Sequence, residues 1–168
     1  LALNKIATDN DCDHEMVESI IKVNQSQRKK FVNRIKSFFG GDLTGKTIAL
    51  WGLSFKPETD DIREAPSIYI IEELSKLGAR IVGYDPVAGP FIKAMFGDKI
   101  SIADDQYDAL LDAKGLILVT EWSCFRNPNF ETIAEKLKSK VIFDGRNQYD
   151  LTKMSKLGFN YFSVGRRN

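Results

Sequence analysis

Histidine and cysteine are almost absent from this chain of 168 residues: His14 is the single histidine, and Cys12 and Cys124 lie far apart. One histidine argues against a His-ligated metal site and a His-based triad, although acid–base work by Asp, Glu or Lys stays open. The two cysteines match no metal or redox spacing, so the expectation is no metal and two free thiols in a reducing cytoplasm. An excess of one charge is missing as well. The net charge of +1 offers no bulk attraction to nucleic acid or an acidic membrane. No apolar run approaches the ~20 residues of a membrane span. Lys5, Asp9 and Asp11 interrupt any signal-peptide core. Internal repeats and low-complexity tails are not found. The sequence therefore predicts neither a nucleic-acid nor a membrane partner.

What is present is the composition of a globular protein, 43% hydrophobic and 28% charged. Residue 1 is Leu, and LALNKIA reads as the inside of a helix, so the chain is expected to begin partway through a longer protein. Asp9–Asp13 is a break rich in cap formers, with Asp11 or Asp13 able to accept from the next helix. That helix is predicted from about His14 to Phe39. Val17, Ile20, Ile21, Asn24, Gln27, Phe31, Ile35 and Phe38 recur at spacings of three and four, forming one stripe. Gly40-Gly41 ends it. Its length of roughly 38 Å exceeds what one small domain needs on its flank. Asn24 and Gln27 interrupt the stripe as polar contacts at a junction would. Residues 1–41 are thus read as a connecting segment that meets another domain or a second subunit. Arg28-Lys29-Lys30 reads as a solvated face.

From Lys46 the pattern becomes strand–helix alternation. Strands are predicted at Lys46–Gly52, Ala79–Tyr84, Ile100–Ala103 (edge-like), Gly115–Thr120, Lys140–Asp144 and Asn160–Val164. Helices are predicted at Ser67–Leu77, Pro90–Phe96, Tyr107–Ala113, Asn129–Leu137 and Leu151–Leu157. Six short strands, some apolar throughout, indicate an α/β, Rossmann-like, doubly wound and mostly parallel six-stranded sheet over residues 42–168, preceded by the long helix. Ligands in such sheets sit beyond the carboxyl ends of the strands. Gly52, Ser54, Phe55 and Lys56 fall there, as do Asp85, then Glu121, Trp122 and Arg126, then Gly145, Arg146 and Asn147. Cations, aromatic rings and backbone amides on one edge suit a phosphate-linked ring.

The first loop reads Gly-Leu-Ser-Phe-Lys-Pro and lacks the three glycines of a dinucleotide cradle. Lys56 replaces the missing amides with a point charge. Asp85 stands where a ribose-binding acid would, but Asp-Pro is equally a plain turn. Asp60 or Asp61 is expected to cap the following helix rather than bind metal. Cys124 has no histidine to activate it.

The segments WGLSFKPETDDIREAPS, YDP, VTEW and FDGRN, in this order, resemble the nucleotide-sugar 6-dehydrogenase family, and FDGRN supports its UDP-glucose branch. The resemblance covers essentially the whole chain. It implies that residues 1–39 correspond to the family's central helical region and residues 46–168 to its C-terminal UDP-binding domain. By the same resemblance, Phe55, Lys56 and Arg146 contact the UDP-sugar substrate, and Arg63 reaches toward NAD, which a separate N-terminal domain mainly holds. Asp60, Asp61 and Glu64 set the loop's geometry, and the long helix forms a homodimer core. The family oxidises the sugar C6 alcohol to an acid in two steps through a cysteine in a Gly-x-Cys-Phe-x-Lys-Asp type motif. That motif is absent here, so the resemblance implies binding without turnover by this chain alone. A GDP-mannose or UDP-N-acetyl-mannosamine relative, and a stand-alone nucleotide-binding module, are the alternatives.

Overall fold

The computed structural model describes residues 15–166. The expected helical piece and cap over residues 1–13, and a helix start at His14, lie outside them. In chain order the elements are α1 (Glu15–Phe38), β1 (Thr47–Trp51), α2 (Pro66–Lys76), β2 (Arg80–Tyr84), α3 (Gly89–Phe96), β3 (Ile100–Ile102), β4 (Leu116–Leu118), α4 (Ser123–Arg126), α5 (Phe130–Lys136), β5 (Val141–Asp144), α6 (Leu151–Lys156) and β6 (Asn160–Ser163). The strands form one sheet in the order β3-β2-β1-β4-β5-β6. All five pairings are parallel, so the sheet is wholly rather than mostly parallel. The winding reverses between β1 and β4, which is the switch point of a doubly wound sheet.

The central strands are apolar throughout because both faces are covered. Ile48 and Leu50 of β1 face a core built with Val32 and Ile35 of α1, Ile70, Ile71 and Leu74 of α2, and Ile92 of α3. Ala49 and Trp51, the alternate residues, face a second core with Phe125 of α4, Ile133 of α5 and Met154 of α6. Trp51 stacks on Phe125 with centroids 5.0 Å apart and planes 18° apart, and its indole N–H donates to the Gln106 carbonyl at 2.8 Å. Phe143 of β5 stacks on Phe162 of β6 at 5.1 Å. Each such ring pair adds about 0.5–1.5 kcal/mol beyond area burial.

Helix α1 behaves differently at its two ends. Near its C-terminus Val32 and Ile35 are buried, and Phe38 packs edge-on against Phe143 and Phe162. Arg34 donates to the Ser163 carbonyl at 2.7 Å, fixing the helix to the end of β6. Toward its N-terminus Met16, Ile20 and Val23 are more than half exposed. Of the stripe read from the sequence, Ile35 is buried and Phe31 half-buried while Ile20, Asn24 and Gln27 are exposed; the buried Val32 lies outside it.

Two local expectations are corrected. Tyr107–Ala113 forms only a 3₁₀ turn at Asp108–Leu110. Leu111 leaves the helical region (φ −57°, ψ 123°) and Asp112 follows in a left-handed backbone (φ 58°), which ends the turn. Conversely, the sequence predicts no helix directly after Trp122, yet Ser123–Arg126 forms α4, with Phe125 buried against Trp51.

Gly52 closes β1 with φ +87°, and a Cβ there would lie 2.5 Å from the Thr120 Cβ and 2.7 Å from its amide nitrogen. Glycine is required on both counts. Gly52→Ala is expected to destabilise the chain by about 2–4 kcal/mol, read as a lowered urea midpoint at unchanged m-value.

Candidate functional site

Four strands of the sheet deliver loops to one edge. The β1–α2 loop contains Phe55 and Lys56, β2 ends at Asp85, β4 runs into Thr120-Glu121-Trp122, and β5 runs into Gly145-Arg146-Asn147. The β1–α2 loop is held from below by a buried carboxylate. Asp85 Oδ2 accepts from the amides of Leu53 (2.7 Å) and Ser54 (3.1 Å), the Ser54 hydroxyl (3.1 Å) and the Trp122 indole N–H (3.0 Å). Its Oδ1 accepts from the amides of Val87 (3.0 Å) and Ala88 (2.8 Å). Six donors on two oxygens satisfy a carboxylate buried to 6%. The loop's carbonyls are bound as well: Thr120 donates its hydroxyl to Ser54 O at 2.7 Å, and Ser67 donates to Leu53 O at 2.6 Å.

Beyond Ser54 the chain leaves the core. Phe55 is 44% exposed. Lys56 is exposed and makes no hydrogen bond or ion pair with another described residue. The loop then folds back, with the Phe55 amide donating to the Asp61 carbonyl at 2.8 Å. Asp61 does not cap α2, as the sequence suggested. That helix begins on Pro66 after Ala65, with no side-chain cap. The Asp61 carboxylate instead accepts from the Arg63 amide at 3.0 Å, and from its Nε and Nη2 at 2.9 and 2.8 Å. A residue two positions away in a tight turn outcompetes a helix end four residues off. Asp60 is exposed and likewise does not cap α2.

The second cation comes from the β5 loop, and another buried carboxylate bends that loop. Asp144 accepts from the amides of Arg146 (2.8 Å), Gln148 (2.8 Å) and Tyr149 (3.3 Å), and from the Tyr161 hydroxyl (2.7 Å). Burial, together with the Asp144 charge, pushes the phenols of Tyr149 and Tyr161 well above their ordinary range, so both stay neutral donors. The Asn147 side-chain amide pairs with both backbone groups of Val164, at 2.8 and 2.9 Å. The Arg146 side chain turns toward the β1–α2 loop. Its Nε donates to Val119 O at 2.8 Å and lies 2.9 Å from Glu121 Oε2, and its Nη2 reaches Phe55 O at 3.4 Å. Among the described residues, left-handed non-glycine backbone occurs at Glu58, Glu64, Asp112 and Asn147. Three of these four lie in the two site loops, where surrounding contacts sustain the strain.

The structure thus brings Arg146 to the backbone of Phe55, the residue before Lys56. Arg63 stands at the outer rim, with its side chain 87% exposed and paired to Asp61. Arg126 lies exposed at the end of α4 and does not join them. Arg28, expected from the sequence on a solvated face, is instead half-buried. It donates to the Glu64 carbonyl at 2.9 Å and lines a cavity of about 150 Å³ with Phe31, Ile70, Val119 and Arg146. Nothing in the sequence signals that contact, which spans 36 positions.

Known proteins resemble this chain along its length. Residues 49–151 match the family described as the UDP-glucose/GDP-mannose dehydrogenase family, UDP binding domain. A UDP-glucose 6-dehydrogenase of Pseudomonas aeruginosa is 37% identical over 98% of this chain and 38% of its own length. Enzymes of the same name from Bacillus subtilis and Rhizobium meliloti are 39% and 36% identical, each over 99% of this chain and 38% of theirs. The chain therefore spans little more than a third of these curated relatives. The fold matches a UDP-glucose dehydrogenase of Pyrobaculum islandicum with a TM-score of 0.78 at 24% identity, covering 96% of this chain and 34% of that one. It also matches a GDP-mannose dehydrogenase of Pseudomonas aeruginosa with a TM-score of 0.67 at 23% identity, covering 96% and 36%.

Two outcomes test this geometry. Asp85→Asn replaces one accepting oxygen by an N–H₂ that must face at least two of the donors, and is expected to cost about 2–3 kcal/mol in urea unfolding. The bonds from Arg63 hold the Asp61 carboxyl at about 2, below the usual 3.8. A depressed carboxyl favours the folded state above its unfolded value and loses that contribution as pH falls through the folded one. The Asp61–Arg63 clasp is therefore intact above about pH 4 and opens toward pH 2. A carboxyl-carbon NMR titration should show the low midpoint, and Arg63→Gln should return it to the ordinary range.

Proposed function

The chain belongs to the UDP-glucose/GDP-mannose dehydrogenase family, and on that premise we propose that it is the substrate-binding and subunit-pairing part of an NAD-dependent UDP-glucose 6-dehydrogenase. The whole protein would oxidise UDP-glucose to UDP-glucuronate, consuming one water and reducing two NAD. The observation that carries the reading is the approach of the Arg146 guanidinium to the Phe55 carbonyl, one residue before Lys56, whose ammonium makes no hydrogen bond or ion pair with another described residue. A diphosphate presents oxygens to both, one through a point charge and one through a planar fork. Phe55, exposed beside Lys56, offers an apolar ring to the sugar or the base.

NAD does not suit this sheet's own switch point. The β1 loop has one glycine where a dinucleotide cradle needs three, and all six hydrogen bonds of Asp85 go to the protein, leaving none for a ribose. NAD would be held mainly by a separate domain of the longer protein. Arg63, exposed at the rim, is the residue of this chain assigned to meet it. Residues 1–41 would connect the two domains and pair two subunits, a role supported by the exposed Met16, Ile20 and Val23 of α1. No helix among the described residues is long and apolar enough to cross a membrane, which is compatible with the cytoplasmic setting proposed for the enzyme.

A chemical-shift titration with UDP-glucose is expected to move the amides of residues 53–63 and 145–147, with GDP-mannose moving them less at equal concentration. Lys56→Ala should weaken UDP-glucose binding by about 10-fold or more. Undiminished binding by that variant, or a stronger response to GDP-mannose, would reject the reading.

A further inference from the structure

Arg146 is the more constrained of the two cations, and the constraint is lopsided. Its Nε–H is directed to the Val119 carbonyl at 2.8 Å, with Glu121 Oε2 beside it at 2.9 Å. The far side of the guanidinium is almost unused. Nη1 makes no hydrogen bond with a described residue, and Nη2 has only the 3.4 Å approach to Phe55 O. Glu121 is equally one-sided. Its Oε2 is buried and accepts no well-directed hydrogen bond, so the Arg146 charge is what balances it. A buried carboxylate oxygen without donors is costly unless a cation stays beside it. Glu121 thus has strong reason to keep Arg146 where it is. It also stands next to Trp122, whose indole N–H is tied to Asp85 and Ser54, so its own backbone is anchored to the network that fixes the Lys56 loop.

We propose that Glu121 is a positioning residue for nucleotide-sugar binding: it clamps the Nε side of Arg146 so that the two terminal nitrogens stay oriented for phosphate oxygens. The inference rests on the proposed UDP-sugar reading and deepens it. An arginine held by its inner edge meets a phosphate bidentately with little further loss of side-chain freedom, which is how preorganisation raises affinity. The opposite role for the same carboxylate is competition, in which Glu121 occupies Arg146 and an incoming phosphate must displace it. The two roles differ in sign.

The experiment is a UDP-glucose titration of the 168-residue chain and of Glu121→Gln, Arg146→Ala and the double variant, with melting temperatures recorded alongside. The two side chains are 33% and 39% exposed, so all variants are expected to stay folded. Clamping predicts that Glu121→Gln weakens binding about 3- to 10-fold and Arg146→Ala about 10- to 100-fold, with the double variant no weaker than Arg146→Ala. Unchanged or tighter binding by Glu121→Gln overturns the proposal. So does an equal loss from Glu121→Gln in the Arg146→Ala background, because the effect would then not pass through Arg146. A readout without ligand separates this inference from the reading beneath it. Because the Arg146 Nε–H also donates to the Val119 carbonyl, the readout is rotation of the guanidinium: the Nη1 and Nη2 groups should give separate NMR signals in the wild type and one averaged signal in Glu121→Gln. If the wild type ignores UDP-glucose, the functional reading fails, and separate Nη signals in Glu121→Gln reject the clamp on its own.

Discussion

A carboxylate buried at the switch point of a parallel sheet must find donors, and Asp85 finds six. Those donors come from the β1 loop, the turn after β2 and the indole of Trp122 after β4, so one anion ties together three chain segments that share no sequence neighbourhood. The requirement to satisfy it shapes the loop: Leu53 and Ser54 turn their amides inward, and the next two residues, Phe55 and Lys56, are carried out of the core. In a related dinucleotide-binding sheet the acid at this position faces a ribose. Here the acid at that position is spent on the protein's own donors.

Asp144 repeats the device at the end of β5. It bends Gly145–Tyr149 around its oxygens, and Arg146 emerges from that bend. Each buried carboxylate is satisfied by backbone amides and neutral side-chain donors rather than by a cation. Lys56 is thereby left exposed without an ion pair to another described residue, while Arg146 has the Val119 and Phe55 carbonyls and Glu121 beside it. Cys124 is exposed on α4, and partial burial of its thiol raises its pKa, away from the reactive thiolate.

Helix α1 shows how one element answers two demands. Its last turns belong to the sheet, through Val32, Ile35 and Phe38 and the bond from Arg34 to the end of β6. Its first turns carry Met16, Ile20 and Val23 into solvent. Arg28 stands between the two regimes and grips the Glu64 carbonyl, which joins the helix to the loop bearing Arg63. The same helix therefore packs on the sheet at one end and holds the β1–α2 loop through Arg28.

The order and type of nearly every element were legible in the sequence, because apolar runs of four or five residues between turn signals fit only strands buried on both faces. The placement of Phe55, Lys56 and Arg146 on loops at one edge of the sheet was legible too, since loops after parallel strands gather at that edge. The sequence could not decide what Asp61 and Asp85 hold, because an acid near a helix start or a strand end has several local partners and only the folded loop selects one. It could not decide that Tyr107–Ala113 would stop at a 3₁₀ turn, or that the residues after Trp122 would coil into α4, because those outcomes depend on Leu110 and Phe125 finding the Trp51 side of the sheet. Periodicity and motif determined what each segment is. Contacts between segments far apart in the chain, such as Arg28 to Glu64 and Arg146 to Glu121, were decided by tertiary structure alone, because they exist only after the sheet has brought its strand ends together.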